Sequence, residues 1–600
     1  MKKRYHFYSQ TAIACLAAFL LTLGGFSTAQ ASTDEESIVS QKIQLEENTV
    51  ASETINGTAE DGIETEPAIP LPTEEVTLTS CILSDGTHII IEGTLAGTVS
   101  DPEYYDNYLY LFELKPYEAS LEDRSDYLAQ IGKEEAISFT LPRTSDTSED
   151  RMYSRFTMAV FDGEAYVPVS NEVYVTNPES VATHTAPYET AQSKKGLLIE
   201  TSDACVTDAF NLGVNHVIVN IPFQQLFGSG IDYTYEGKNY HFNKGLISRL
   251  DNNIRKMSSK NMTITAVLLN GWNPATPQLF YPGLKKQSGT TALYYGFHTA
   301  TKESADTLRA AATFLAERYG SPSSSNGKIS NWIIGNEINN QQWNYIGPMN
   351  MASYLKEYER AFRLFYTAIR SVNANDRIYF STDYNWNREA DGITTYNAKD
   401  VICEFAKMTR ESGNIDWGLA YHPYSYPMTE PEFWDDDQTG LVTEEITSPI
   451  VNMKNLHVLT DMMQENELLD SNGQVRHIIL SEQGFTSKSA TRGEQEELQA
   501  AAIAYAYYIA DSNPYIDAFI MNRQVDAPIE ADASLELGLW HYDKSKVPDI
   551  VPTTKKKSWN VYKNITKKGT TLEVTRFAKE ILGIQKWSDV IPNFRWKAYE

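Results

Sequence analysis

Two glutamates, Glu337 and Glu482, end strongly apolar runs of the sequence, "NWIIGNE" and "HIILSE". A buried strand that ends on a carboxylate implies a partner or a task for it, because burying an unpaired charge is costly. Hydrolysis of a glycosidic bond needs two facing carboxyl groups. One donates a proton to the leaving oxygen, and the other attacks the anomeric carbon or activates water. A carboxyl group in a partly apolar pocket, facing a second carboxylate, has a raised pKa and can serve as the acid.

The elements that must position these glutamates alternate along the chain from about residue 194. Helix-like runs, with apolar residues at three- and four-residue spacing, cover residues 303–320, 351–372, 453–469, 493–512 and 571–582. Between them lie nearly continuous apolar runs, as expected of strands covered on both faces. These runs are "GLLIE", "HVIVNIPF", "MTITAVLLN", "NWIIGNE", "RIYFSTD", "IDWGLAYH", "RHIILSEQ" and "IDAFIMNR". Eight such units predict an α/β fold, a (β/α)8 TIM barrel over residues 194–585. An open doubly wound sheet is the alternative, and the first βα turn lacks the glycines typical of it.

Active sites of such barrels lie at the C-terminal ends of the strands. Polar, ionisable and aromatic residues stand at or just beyond seven of the eight predicted strand ends: Glu200, Asn270, Trp272, Asn336, Glu337, Asp383, Trp386, His422, Tyr424, Glu482, Gln483, Asn522 and Arg523. Strands 4 and 7 lie nearly opposite each other in an eight-stranded ring, so Glu337 and Glu482 are expected to face each other across the mouth. The alternative is that each glutamate is a wet surface residue at a strand end.

Aromatic residues give a second indication of the ligand. The chain has 36 Tyr and 10 Trp. The predicted βα loops carry Trp272, Trp343, Trp386, Trp434 and Trp540. A tryptophan ring can stack on the C–H face of a sugar, although ordinary packing is the alternative for any one of them. As a group they predict an extended carbohydrate as the binding partner.

Three short motifs resemble those of a known clan. "GNE" after strand 4, "YHPYS" after strand 6 and "SEQG" after strand 7 are similar to the signatures of clan A glycoside hydrolases, the retaining (β/α)8 glycosidases. Within that clan, the chain resembles a family of secreted bacterial proteins of unassigned function. The resemblance implies that Glu337 is the general acid/base and Glu482 the nucleophile. It also implies that Asn336 contacts the sugar 2-hydroxyl and that His422 and Tyr424 lie beside the nucleophile.

The sequence departs from the clan at two strand ends. Strand 2 ends in "NIPFQQLF" without the clan's arginine, and strand 8 ends in "MNRQVD" where the clan has a tryptophan. We expect either that Arg523 or Asp526 replaces the missing contacts or that the substrate is an unusual one. The predicted substrate-binding residues are Asn336, His422, Tyr424, Asn270, Trp272, Asp383, Trp386, Arg523 and Trp540. The alternative function is a non-catalytic carbohydrate-binding or cell-envelope protein that keeps the barrel, since a fold does not guarantee an activity.

The N-terminal segments predict export. Residues 1–31 combine a basic start, the apolar run "TAIACLAAFLLTLGG" and the small-residue site "AQA", which is the pattern of a secretory signal peptide. An uncleaved membrane anchor is the alternative, although the apolar run is short for one. Residues 32–75 are acidic and poor in aromatics, which predicts a disordered linker. Short alternating runs over residues 76–180 predict a small all-β sandwich domain. We therefore expect a secreted, extracellular protein with no membrane span after signal cleavage.

Composition excludes several classes of partner and cofactor. The net charge of −28 disfavours nucleic acid, which requires a basic surface. We find no dinucleotide, nucleotide-triphosphate, zinc-protease or serine-hydrolase motif, so no organic cofactor is implied. No metal site is predicted: the cysteines do not form a zinc pattern, and "WDDDQTG" at 434–440 is interpreted as a solvated acidic loop, not a calcium site. The sequence carries no indication of oligomeric state.

Overall fold

The structure is a computed structural model that describes residues 69–97, 100–144, 149–321, 324–388, 390–489 and 491–599. The predicted signal peptide, and the predicted linker up to residue 68, lie outside these residues. Among the helices of the described ranges, none is long and apolar enough to cross a membrane.

Two antiparallel sheets precede the barrel. The strands are β1 (Glu74–Leu83), β2 (His88–Gly97), β3 (Tyr108–Leu114), β4 (Ala129–Gly132), β5 (Ala136–Pro142), β6 (Arg155–Phe161), β7 (Tyr166–Pro168) and β8 (Val173–Tyr174). One sheet has the order β1-β2-β5, and the other has the order β4-β3-β6-β7 with β8 paired to β6. Apolar side chains from both sheets join one core, among them Ile89, Ile91, Leu109 and Met158. This arrangement agrees with the predicted all-β domain.

Eight parallel strands form a closed barrel. They are β9 (Lys195–Leu198), β10 (His216–Pro222), β13 (Thr263–Leu269), β14 (Asn331–Ile334), β15 (Arg377–Asp383), β16 (Trp417–His422), β17 (Ile478–Gln483) and β20 (Ile516–Met521). Each pairs with its neighbour in this order, and β20 pairs with β9 to close the ring. All eight coincide with the predicted runs, so the closed barrel is confirmed and the open sheet is wrong.

Six further strands of the described residues form three two-stranded antiparallel hairpins outside the barrel ring. They are β11 (Gly230–Tyr235) with β12 (Lys238–Asn243), β18 (Lys488–Ser489) with β19 (Gly493–Glu494), and β21 (Trp540–Tyr542) with β22 (Pro552–Lys555). The first hairpin turns at Glu236 and Gly237, both at positive φ, as tight hairpin turns require.

The helices are α1 (Asp203–Asn211), α2 (Lys244–Ser258), α3 (Lys302–Tyr319), α4 (Met351–Arg370), α5 (Ala398–Glu411), α6 (His457–Met462), α7 (Glu496–Ser512), α8 (Pro528–Asp532), α9 (Lys557–Asn564), α10 (Thr571–Val574) and α11 (Arg576–Leu582). The long predicted helix over 453–469 is wrong, because only α6 and a short 3-10 turn form there. Asn455 explains the late start: its side-chain amide donates to the carbonyls of Thr443 and Ile450 and fixes a loop. The predicted closing helix over 571–582 is divided into α10 and α11.

Alternate strand residues point into the barrel, where they form a separate apolar cluster. Ile218, Val267, Ile333, Tyr379, Ala420, Ile479, Ala518 and Ile520 fill this interior. Tyr294 and Trp343, both from loops that follow strands, pack onto the same cluster. The interior is therefore a packed core, as expected of an eight-stranded barrel, and the mouth above it is the place left for chemistry.

Truncating the barrel interior should destabilise the protein. Ile333 is fully buried in that cluster, so we expect Ile333→Ala to lower the free energy of unfolding by about 2–5 kcal/mol through lost burial and a cavity. Urea unfolding followed by circular dichroism measures this value. Ile393→Ala makes the same change at an exposed isoleucine and should alter stability by no more than about 0.5 kcal/mol. Equal losses in the two variants would contradict the assigned packing.

Candidate active site

Glu337 is held three residues beyond β14 by a constrained backbone. Gly335 and Glu337 both have positive φ, at 78° and 38°, and the second value is unusual for a residue with a side chain. A Cβ at position 335 would lie 2.6 Å from the Asn344 side-chain oxygen, so only glycine fits there. The Glu337 amide donates to Ser381 Oγ at 2.8 Å. The strained turn therefore fixes the backbone position from which the Glu337 side chain extends, and such strain is common at functional sites.

Glu482 lies within β17 and is held from strands on either side. The Tyr424 hydroxyl, two residues beyond β16, donates to Glu482 Oε1 at 2.7 Å. Asn522, one residue beyond β20, donates its amide to that same hydroxyl at 2.9 Å. The Tyr424 oxygen therefore accepts a hydrogen bond from Asn522, and its single hydroxyl proton is donated to Glu482.

His422 connects the two glutamates. Its Nδ1 lies 2.8 Å from Glu337 Oε1 and 3.9 Å from Glu482 Oε2. Its Nε2 lies 3.0 Å from Ser481 Oγ. The imidazole is buried, and burial lowers the pKa of His422, so the ring is neutral near pH 7. The structure brings Glu337, Glu482, His422 and Tyr424 together, as the sequence predicted.

The surroundings of the two carboxyl groups differ. Burial, and to a smaller extent the nearby charge of Asp383, raises the pKa of Glu337 well above its usual range. Burial raises the pKa of Glu482, and the nearby Glu337 carboxyl group raises it further, whereas His422, the Tyr424 hydrogen bond and the Arg523 charge lower it. More groups that favour the charged form therefore surround Glu482 than Glu337. Glu337 is the carboxyl group that keeps its proton, and Glu482 is the one that ionises first.

Arg523 occupies the unusual end of the eighth strand. Its guanidinium is buried and pairs with Glu200 at 3.0 Å and Glu530 at 3.2 Å. Burial raises the pKa of Glu530 to about 7, with Arg523 acting against the rise. Arg523 therefore reaches the site through its charge, while its hydrogen bonds go to other glutamates. Sequence analysis missed Glu530, because it lies on α8, away from any strand end.

Three further residues predicted to bind substrate, Asn336, Asp383 and Asn270, have different surroundings. Asn336 is buried directly before Glu337. Asp383 accepts hydrogen bonds from Asn339 and Asn385 at both oxygens, at 2.6–2.8 Å, and its charge acts on Glu337. Asn270 donates to the Leu279 carbonyl at 2.9 Å, while its side-chain oxygen accepts no hydrogen bond from the described part of the chain.

The predicted tryptophans have different environments. Trp386 is 0% exposed, and its indole donates to the Ile446 carbonyl, so it has no free face for a sugar and belongs to the core. Trp272 is half-buried and packs on Phe280, with ring centroids 4.4 Å apart. Trp540 is half-buried and donates to Asp208 on α1 at 2.9 Å. Packing therefore encloses Trp386 completely, whereas Trp272 and Trp540 each keep part of the side chain exposed.

The acidic run "WDDDQTG" is not uniformly solvated. Asp435 and Asp437 are exposed, as predicted, but Asp436 is buried. It accepts from the Tyr426 amide at 2.8 Å and from the Asn452 side chain at 2.6 Å. Burial raises the pKa of Asp436 to about 8. This residue ties together two loops that follow β16, which the local sequence did not indicate.

Several solved structures are similar at low identity. A family 39 glycoside hydrolase from Bacteroides cellulosilyticus WH2 is 13% identical, covering 82% of this chain and 80% of that chain, with a TM-score of 0.41. The family 1 β-glucosidase from Thermotoga maritima with isofagomine lactam is 14% identical, covering 60% and 84%, at 0.38. Bacteroides uniformis β-glucuronidase 2 is 10% identical, covering 83% and 50%, at 0.34.

A family model gives the more specific match. The model described as "Family of unknown function (DUF5722)" matches residues 187–590, which is more than half of the chain and includes the whole barrel. No curated protein matches the chain in sequence.

The raised pKa of Glu337 predicts a pH-dependent stability. The folded protein keeps this proton at pH values where the unfolded chain has released it, so the group destabilises the fold as pH rises above about 4.3. We expect Glu337→Gln to be more stable than the wild type by at least about 1 kcal/mol at pH 7, with the difference reduced at pH 4. Urea unfolding at both pH values measures it.

The matched control is Glu122→Gln, at an exposed glutamate of the β domain, which should change neither value. A Glu337→Gln variant that is no more stable than the wild type at pH 7 would show that this carboxyl group is not held protonated by its surroundings.

Proposed function

The chain belongs to DUF5722, a family of unknown function, and we propose that it is a glycoside hydrolase that cleaves a poly- or oligosaccharide with retention of configuration. One observation carries the proposal. Two buried carboxyl groups of unequal proton affinity, Glu337 and Glu482, are held at the barrel mouth on either side of a neutral His422.

In the first step, Glu337 gives its proton to the glycosidic oxygen while Glu482 attacks the anomeric carbon. The bond between carbon and leaving oxygen breaks, the leaving sugar departs with the proton, and a glycosyl ester forms on Glu482. Tyr424 helps to keep Glu482 ionised before the attack, because its hydroxyl donates to Glu482 Oε1 at 2.7 Å.

In the second step, the Glu337 carboxylate takes a proton from water, and the oxygen of that water attacks the anomeric carbon. The ester breaks, the sugar leaves with its original configuration, and Glu482 is again a carboxylate. Glu337 regains its proton, so both groups return to their starting states. No oxidant, reductant or other reactant is consumed.

The spacing of the two carboxyl groups supports retention over inversion. Because one nitrogen of His422 lies 2.8 Å from Glu337 Oε1 and 3.9 Å from Glu482 Oε2, those oxygens are no farther apart than the sum, about 6.7 Å. Retaining pairs stand about 5–5.5 Å apart, and inverting pairs stand roughly 6.5–9.5 Å apart to admit a water. This upper limit on the separation of the two oxygens exceeds the shortest distance of inverting pairs only slightly.

We also propose that the protein acts outside the cell. The pattern of a secretory signal over residues 1–31 supports export. An exported enzyme meets polysaccharides that cannot enter a cell, which agrees with an extended carbohydrate as the substrate.

A polysaccharide screen tests the activity. We expect the wild type to release reducing sugar from at least one substrate and Glu482→Gln to lower that rate by at least about 10⁴-fold, because the variant lacks the carboxylate that forms the ester. Glu122→Gln is the matched control and should retain full activity. If wild type and Glu482→Gln were equally inactive but bound the same sugars, the protein would be a carbohydrate-binding barrel without catalysis.

Tyr424→Phe should shift the pH profile of that activity. Removing the hydroxyl takes away a hydrogen bond to the ionised Glu482, so the pKa of Glu482 rises. The acidic limb of the plot of kcat/KM against pH should therefore move to higher pH, and kcat should fall about 10-fold. Tyr515→Phe removes an exposed hydroxyl that bonds to Gln464 and should leave the profile unchanged. An unshifted limb in Tyr424→Phe would remove Tyr424 from its role.

A further inference from the structure

A second group of ionisable side chains lies in the segment that follows the last barrel strand. Asp526 stands five residues beyond β20, Glu536 lies between α8 and β21, and His541 lies within β21. One oxygen or nitrogen atom of each lies within 4.8 Å of the others. The proposed reaction uses none of these three residues, and only Asp526, as a candidate substrate contact, was singled out in the sequence.

Asp526 has an oxygen with no partner inside this group. Its Oδ1 accepts from the Lys556 ammonium at 2.7 Å and from the Gly538 amide at 2.8 Å. Among the residues that the structure describes, none donates a hydrogen bond to its Oδ2, although the side chain is only 1% exposed. That oxygen faces His541 Nδ1 at 3.6 Å. A buried carboxylate oxygen without a donor is costly and calls for a ligand.

His541 is oriented toward the same point. Its Nε2 lies 3.1 Å from Glu496 Oε1 on α7, which leaves Nδ1 facing Asp526 and Glu536. A carboxylate on the far nitrogen of an imidazole is the arrangement that orients histidine ligands in metal sites. The Nε2 atom of His541 therefore contacts Glu496, and its Nδ1 atom faces Asp526 and Glu536.

The distances from His541 to Asp526 and Glu536 suit a shared metal ion better than direct hydrogen bonds. His541 Nδ1 lies 3.6 Å from Asp526 Oδ2 and 3.9 Å from Glu536 Oε2, both longer than hydrogen bonds. Atoms that each lie about 2.0–2.2 Å from one metal ion stand roughly 3–3.5 Å apart. A small inward movement of these side chains would bring all three to an ion at their centre.

The local charge also leaves room for a cation. Asp526, Glu536 and Glu496 supply three carboxylates, whereas the two lysines on the outer oxygens, Lys556 at 2.7 Å and Lys488 at 3.5 Å, supply two positive charges. With a neutral imidazole, the group keeps one net negative charge.

We propose that Asp526 Oδ2, Glu536 Oε2 and His541 Nδ1 bind a divalent transition-metal ion, with Glu496 orienting the imidazole. One imidazole and two carboxylates suit Zn²⁺ or Mn²⁺, whereas Mg²⁺ and Ca²⁺ prefer oxygen ligands alone. The bound ion stabilises the segment that carries Arg523 and Glu530 beside the catalytic pair. This inference does not depend on the proposed hydrolysis.

A proton on His541 is the competing occupant of the same position. Asp526 raises the pKa of His541, and a protonated ring would satisfy the free carboxylate oxygen without any metal. The test must therefore distinguish an ion from a proton.

Calorimetric titration of the purified full chain makes this distinction. After treatment with EDTA and dialysis, the chain is titrated at pH 7 with ZnCl2, MnCl2 and MgCl2. We expect one Zn²⁺ or Mn²⁺ per chain, with Mg²⁺ bound at least about 100-fold more weakly. His541→Ala should lower the Zn²⁺ affinity at least about 100-fold, and Glu496→Gln about 10- to 100-fold. His241→Ala, at an exposed histidine beside Asp232, is the matched control and should change nothing.

X-ray absorption of the Zn²⁺-loaded wild type keeps the test independent of variant folding. We expect one imidazole nitrogen and otherwise oxygen around the ion. A shell with sulfur or several imidazoles, an affinity unchanged in His541→Ala, or a chain that binds neither Zn²⁺ nor Mn²⁺ would each overturn the proposal. The last result would assign the position to a proton.

Discussion

The burial of two facing carboxyl groups, Glu337 and Glu482, is the constraint on which the site depends. Each is at most 5% exposed, and a charge in that environment must be paired or given up. The protein supports the charge of Glu482 through Tyr424 and Arg523. It gives Glu337 a second carboxylate, Asp383, as its main electrostatic neighbour. One pair of identical side chains thereby obtains two different proton affinities, which is what acid and nucleophile require.

The barrel makes this difference possible because its strand ends converge. Glu337 comes from the fourth strand end, Tyr424 from the sixth, Glu482 from the seventh and Asn522 from the eighth. Their positions are fixed by bonds between strand ends: Tyr424 donates to Glu482 of the neighbouring strand, and Asn522, one strand beyond that, donates to the Tyr424 hydroxyl. Sites on rigid strand ends hold distances better than sites on loops. The geometry of the site therefore depends on the closure of the barrel.

Sequence patterns predicted the part of this arrangement that depends on local order. Apolar strands and polar strand ends located all eight strands and the central group of Glu337, Glu482 and His422. Contacts between segments that are distant in the sequence could not be predicted from these local patterns. Trp386 stands at a strand end yet is enclosed by the loop that carries Ile446. Glu530 meets Arg523 only after α8 folds back onto the mouth.

Covalent labelling tests the central claim most directly. A panel of mechanism-based glycoside inhibitors, which form stable esters with a catalytic nucleophile, would be incubated with the wild type and with Glu482→Gln, and the digested chains would be mapped by mass spectrometry. The account predicts one adduct on the peptide that contains Glu482 and none in the variant. An adduct on another carboxylate, or the same adduct in Glu482→Gln, would contradict it.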